Sequence, residues 1–436
     1  MTAKQPNPDS PTASSHPFYS STALWGRQSC LQPPFRRPFR GALIFGALAI
    51  SAAAQPYSAR QEGALVHLED AKSHTVVSII TDVGNVAYEM KVNGTNVLYF
   101  PTGTPEAFKQ RPGLMGIPFL APWANRLDEP AFYANGKKYT FNEGLGNVRG
   151  AIPIHGFLSS TNQWQVVEVK SDANNAWVTS RLEFYKQPDW MAQFPFAHTI
   201  DMTYRLHEGV LEVNLKIHNM SAEPMPIAVG FHPYYHLTDS PREDWTISVG
   251  AKTHWLLAAN KIPTGETQPI ETFFPDPQNI PLKDYSLDHV FGDLVRDSNG
   301  RASLSVKGKT QKLEVMFGPK YRAAVLYSPG ANPGSVPPER GGPAPAAPGP
   351  AAANGRGGAF GGSGGRGGAF GGSGRDGGGG GGGGRGPQDP NFMAFEPMAG
   401  ITDAMNLAQK GLYKEQQYVA PGATWEESFW VHPTGF

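Results

Sequence analysis

Apolar and polar residues alternate with a period of two along most of this chain, in short runs separated by turn residues. Thr75–Thr81, Val86–Val92 and Asn96–Tyr99 form the first group, with Asn93-Gly94 as a hairpin turn. Ala131–Phe141 folds around Asn135-Gly136 in the same way. Trp164–Lys170, Ala176–Tyr185, His198–Leu206 and Val210–Asn219 read as further strands, the last two joined by His207-Glu208-Gly209. Trp245–Val249, Ala302–Val306, Lys312–Phe317, Ala323–Tyr327 and Thr424–Val431 continue the series. No long segment repeats at the helical period. Many short strands at regular turn spacing predict an all-β domain over residues 55–436, a sandwich or a barrel.

Two segments break the pattern. Met1–Pro34 is rich in Ser, Pro and Thr without apolar periodicity and reads as disordered. Arg36, Arg37 and Arg40 then precede the apolar run Gly41–Ile50 and the small residues Ser51-Ala52-Ala53-Ala54. That order is the order of a secretory leader, with cleavage expected near Ala54–Gln55. The apolar run falls short of the about 20 residues a membrane span needs. Residues 1–54 are therefore expected to be a disordered N-terminus plus export signal. The mature protein is expected to be periplasmic or secreted, with no stable membrane association; an uncleaved anchor is the alternative. The second break is Gly330–Gly386, which holds half of the 52 glycines. It repeats RGGAFGGSG at Arg356–Gly364 and Arg366–Gly374 and then runs through eight consecutive glycines. So few apolar side chains do not repay the entropy of ordering, so residues 330–390 are expected to form a flexible insertion. Strand-like segments on both sides make it an insertion within one domain. Loop-closure entropy grows only logarithmically, so it costs about 2 kcal/mol over a short connection.

Composition narrows the classes of partner. The 436 residues carry 37 basic and 37 acidic side chains, so the formal net charge is zero. That balance gives no electrostatic footprint for nucleic acid or an anionic membrane. Cys30 is the only cysteine and lies upstream of the expected cleavage point. No intramolecular disulfide or thiolate metal cluster is possible. The body of the chain is long enough to bury a β core without either.

Several stretches set reactive side chains in apolar surroundings. Gly230–Leu237, GFHPYYHL, delivers His232 directly after the apolar run Pro226–Val229. Phe392–Leu407 places Glu396 in an apolar segment, where a carboxylate is costly unless it has a task. Met115–Asp128 leads into Arg126, Ile152–Leu158 presents His155, and Ser286–Leu294 offers Asp288. A lone buried histidine is more often a satisfied core residue than a functional one. Here two histidines, an arginine and two carboxylates accumulate, a set suited to a small polyol. Arg and Asp bind hydroxyls, while His and Glu move protons. Trp123 or Phe231 is expected to stack on the apolar face of a sugar ring. No spacing matches metal ligation, and no cofactor or metal is called for.

Taken together these stretches resemble the aldose 1-epimerase (galactose mutarotase) family. The resemblance spans Leu65 to Pro433, interrupted by the glycine-rich insertion. It rests on Pro122-Trp123-Ala124-Asn125-Arg126, His155-Gly156-Phe157, His232-Pro233-Tyr234-Tyr235, Asp288-His289-Val290-Phe291 and Phe395-Glu396-Pro397, in the family's order. It implies the galactose mutarotase-like supersandwich, a large antiparallel β-sandwich with the sugar in an open cleft. It also implies Glu396 as general base on the anomeric hydroxyl and His232 as general acid on the ring oxygen. Asn125, Arg126, His155 and Asp288 are then the residues that bind and orient the sugar. The activity implied is the interconversion of hexose anomers through ring opening and reclosure. The alternative on the same fold is a carbohydrate-binding protein without turnover. A polysaccharide lyase or glycoside hydrolase is disfavoured because no helical domain is visible. The HisProTyrTyr context departs from the more usual His-x-Tyr-Phe-Asn of galactose-type members, which leaves the preferred sugar open. The oligomeric state is open as well.

Overall fold

The computed structural model describes residues 55–141, 152–330 and 391–436, together with the backbone of Val148 and Arg149. The leader expected over residues 1–54 and, apart from Gly330, the insertion expected over 330–390 lie outside these residues.

Among the described residues the strands form two large antiparallel sheets, a five-stranded meander and three two-stranded ladders. The meander runs Tyr57–Glu62, Leu65–Asp70, Thr75–Ile80, Val86–Val92 and Thr95–Asn96. A nine-stranded sheet is built on His198–His207, Val210–Asn219 and Thr424–Thr434 as adjacent central strands. An eight-stranded sheet places Leu287–Leu294, Ala323–Ser328, Met393–Met398 and Gly230–Phe231 side by side. The two strands flanking residues 331–390 are thus direct neighbours in that sheet.

Period-two patterning explains the layering. In His198–His207 buried and half-buried positions alternate, and Ile200, Met202, Tyr204 and Leu206 all point inward. Phe231 from the eight-stranded sheet meets Phe429 from the nine-stranded sheet at 5.0 Å between ring centres. One continuous apolar core, with Phe395, Leu326, Phe291 and Val213 in it, fills the space between layers. Burying each such side chain contributes about 1.5–3 kcal/mol. The architecture is the all-β sandwich expected. Its helices are short, six residues or fewer among the described residues.

The three predicted hairpin turns form as read. Asn93-Gly94, Asn135-Gly136 and Glu208-Gly209 each carry positive φ at both positions (49° and 85°, 53° and 71°, 49° and 72°). These are the values of a two-residue turn whose twist matches the flanking strands. Two strand readings shift. The Asn96–Tyr99 strand shrinks to Thr95–Asn96, because the Asn96 side-chain oxygen accepts from the backbone of Met90 and Leu98 in place of a ladder. The Ala176 strand ends at Glu183 and turns into a short 3-10 helix, Phe184–Lys186. Pro263–Pro269 escapes the alternation rule altogether. It is a polar, largely exposed edge strand with proline at both ends.

Candidate active site

Three adjacent strands make the floor of the site. Val290 pairs with Val325 and Val325 with Glu396; two residues away, Asp288 pairs with Tyr327 and Tyr327 with Ala394. Side chains alternate between faces, so Asp288, Tyr327 and Glu396 share one face. The opposite face carries Phe291, Leu326 and Phe395 into the main core. The site face has its own smaller apolar cluster, with Leu120, Val290, Val325, Met398 and Ile401. His232 arrives from the next segment. Gly230 pairs with both Met398 and Leu120, and the His232 amide donates to the Pro118 carbonyl at 3.0 Å.

Two loops supply the rest. The Asn125–Arg126 loop is pinned by backbone bonds from Ala124 to Ala228 (2.7 Å), from Leu127 to Pro153 (3.0 Å) and from His155 to Asn125 (2.8 Å). Asn125, His155 and Gly156 all adopt left-handed backbone, at φ 56°, 65° and 58°. Asn and Gly accept that region readily, and histidine is among the other residues found there. Gly156 is obligatory on packing as well, because a Cβ would lie 2.0 Å from the Ala121 carbonyl oxygen.

The geometry joins all six expected residues. Arg126 Nη2 donates to Asp288 Oδ2 at 3.0 Å and Nη1 to Asp288 Oδ1 at 3.4 Å. Nη1 also donates to Asn125 Oδ1 at 3.0 Å. The imidazoles of His155 and His232 meet edge to face, 5.5 Å between centres. His232 Nε2 lies 3.2 Å from Glu396 Oε1, with the two side chains 6% and 1% exposed. The second Glu396 oxygen, Oε2, is buried without a hydrogen-bond partner among the described residues.

Burial controls the protonation of this pair. It pushes the Glu396 carboxyl well above the ordinary carboxylate range, the Asp288 charge adds to the rise, and Arg126 opposes it. Burial likewise lowers the His232 imidazole to about 3. Both directions favour an uncharged acid beside an uncharged base.

The stacking expected of Trp123 and Phe231 does not occur. Both are buried in the core, Trp123 against Phe141 and Phe157 and Phe231 against Phe119 and Phe429. Their positions place them on the inner side of the backbone that presents Arg126 and His232. The aromatic groups at the site are others. Tyr234 stacks on His232 at 4.5 Å and 13°, and half-buried Tyr327 meets the same imidazole edge-on at 5.6 Å. Tyr327 escaped sequence reading because only strand register sets it opposite Asp288. His289, next to Asp288 in the motif, points to the other face, where it bonds His254 at 3.0 Å.

Comparison with known proteins bears on the family and the fold. The sequence model of the aldose 1-epimerase family matches residues 65–347. The fold is similar to that of a galactose mutarotase-like protein from Clostridium acetobutylicum, with TM-score 0.65 and 18% identity over 87% of this chain and 98% of that one. It is similar to galactose 1-epimerase from Lactobacillus acidophilus, with TM-score 0.57 and 14% identity over 86% and 97% of the two chains. An aldose epimerase homologue from C. elegans gives TM-score 0.55 and 14% identity over 84% and 97%. Glu396 lies beyond the sequence match and is joined to the other site residues by the sheet. With more than half of its length matched by the family's sequence pattern, and with that fold around it, the chain belongs to the aldose 1-epimerase family.

Proposed function

We propose that the protein interconverts the α and β anomers of a free hexose. The observation that carries this reading is the buried Glu396–His232 pair, 3.2 Å apart, beside the Arg126–Asp288 ion pair. Arg126, Asp288, Asn125 and His155 engage the sugar hydroxyls. The unpartnered Glu396 Oε2 faces the anomeric hydroxyl, and His232 Nε2 the ring oxygen.

The proton count of the pair matches the reaction. Ring opening uses the carboxylate–imidazolium form. Glu396 takes the proton from O1, the C1–O5 bond breaks, and His232 gives its proton to O5. The pair is then left as carboxylic acid and neutral imidazole, the form that burial favours. After rotation about C1–C2 the steps reverse. His232 takes the O5 proton, O5 attacks either face of C1, and Glu396 returns a proton to O1. No proton is gained or lost overall, and the two forms of the pair interconvert by one shift across 3.2 Å.

Polarimetry tests the proposal. Freshly dissolved α-D-glucose or α-D-galactose should reach its equilibrium rotation faster with the protein than with buffer. Binding of either sugar without acceleration would favour a sugar-binding protein on the same fold. Export follows as part of this proposal if Arg36–Ala54 is a cleaved leader, and sequencing of the native N-terminus tests it against a start near Gln55.

A further inference from the structure

Asp403 is a buried carboxyl that the proposed chemistry does not use. It is 1% exposed and stands in left-handed backbone, at φ 62°, just before the short helix Ala404–Gln409. Its contacts run to the sugar-binding loop. The Asp403 amide donates to the Arg126 carbonyl at 3.0 Å, and the Asp128 amide donates to Asp403 Oδ1 at 3.1 Å. Asp403 thus grips the backbone on both sides of Leu127. Among the described residues Asp403 Oδ2 and the neighbouring Asn406 Oδ1 have no other hydrogen-bond partner, and the Asn406 side chain stands against the Asp403 carboxyl.

We infer that Asp403 is a positioning residue for the sugar site, fixing the loop that presents Asn125 and Arg126. The inference rests on the sugar-site reading above. Arg126 reaches its place from a loop, and Asp403 is a side chain that accepts from that loop's backbone while its own amide donates to it. A carboxylate in this position faces Asp128, and the charged groups around the two are Lys410, which bonds Asp128, and Glu129. Asn406 holds the other Asp128 oxygen at 2.9 Å. Burial, and then the Asp128 charge, push the Asp403 carboxyl up to about 8, so the uncharged form does the holding at neutral pH. Above that pH a second negative charge develops beside Asp128, directly under the Arg126 backbone.

Two variants separate the side chain from the backbone. Asp403→Gly removes the carboxyl while accepting positive φ without strain, and Asp403→Asn keeps an uncharged acceptor that also tolerates that region. The readouts are affinity for D-galactose and D-glucose by calorimetry, polarimetric KM and kcat between pH 6 and 10, and thermal melting to confirm folding. Asp403→Gly should raise Kd and KM about tenfold, with kcat within about twofold of wild type. Asp403→Asn should match wild-type affinity at pH 7. Wild-type KM should climb as pH passes about 8, and this climb should vanish in Asp403→Asn. Wild-type affinity in Asp403→Gly, or an alkaline climb in Asp403→Asn equal to that of wild type, overturns the inference. Should Asp403→Gly fail to fold, the comparison of Asp403→Asn with wild type decides alone. A wild-type protein that neither binds nor interconverts either sugar overturns the functional reading instead, and is recognised because wild type and variants then fail alike.

Discussion

Glu396→Gln sets function against stability in a single side chain. Glu396 is 1% exposed, touches His232 at 3.2 Å through one oxygen and leaves the other without a partner among the described residues. Glutamine fills the same volume and still hydrogen-bonds, but it does not take a proton from the anomeric hydroxyl. Loss of one positioned acid–base group typically costs 10²–10⁴-fold, so kcat should fall about 10³-fold, equivalent to about 4 kcal/mol of barrier. Sugar affinity should change little. Stability should move the other way. The folded protein raises the carboxyl pKa well above its ordinary value of 4.5, so it holds the proton more tightly than the unfolded chain does. That contribution is complete below pH 4.5 and is lost progressively as pH rises through the window up to the folded value. Glutamine has no proton to lose. The melting temperature of Glu396→Gln, relative to wild type, should therefore increase as pH rises from about 4.5. Polarimetric kinetics and thermal melts across pH on the two proteins provide the check. Wild-type turnover in the variant, or a lower melting temperature at neutral pH with no pH trend, would refute the reasoning.

Three further outcomes follow from the same geometry. His232→Asn should lose kcat by a similar factor; because burial holds the imidazole at about 3 against an ordinary 6.5, wild type loses stability as pH falls through that window and the variant should be spared, as acid-side melts would show. Arg126→Ala removes the donor paired with Asp288 at 3.0 Å and should raise KM about tenfold or more with a smaller change in kcat, read by polarimetry with calorimetric binding. Gly156→Ala would drive a Cβ to 2.0 Å from the Ala121 carbonyl oxygen at φ 58°; loss of more than about 2 kcal/mol in denaturant unfolding is expected, and a neutral result would contradict the packing argument.

Local rules carried much of this protein. Alternation marks the inward face of strands such as His198–His207, because a pleated chain sends alternate side chains to opposite sides. Asn-Gly pairs marked two hairpins because two successive positive φ values suit few other residues, and Gly209 marked the third. A carboxylate in the apolar run Phe392–Leu407 marked Glu396, because burying that charge is costly. Such signals fix which residues are chemically conspicuous, but they carry no direction. Phe231 stands next to His232 in sequence, yet neighbouring positions face opposite ways, and both Phe231 and Trp123 serve the core. Tyr327 becomes a site residue only through its register with Asp288, and Asp403 only because its helix packs beneath the Arg126 loop. Sequence determined the alternation, the turns and the reactive inventory, all of which depend on neighbours a few residues apart. Tertiary structure alone decided which of those groups meet, because register and packing join positions more than a hundred residues apart, as His232 meets Glu396.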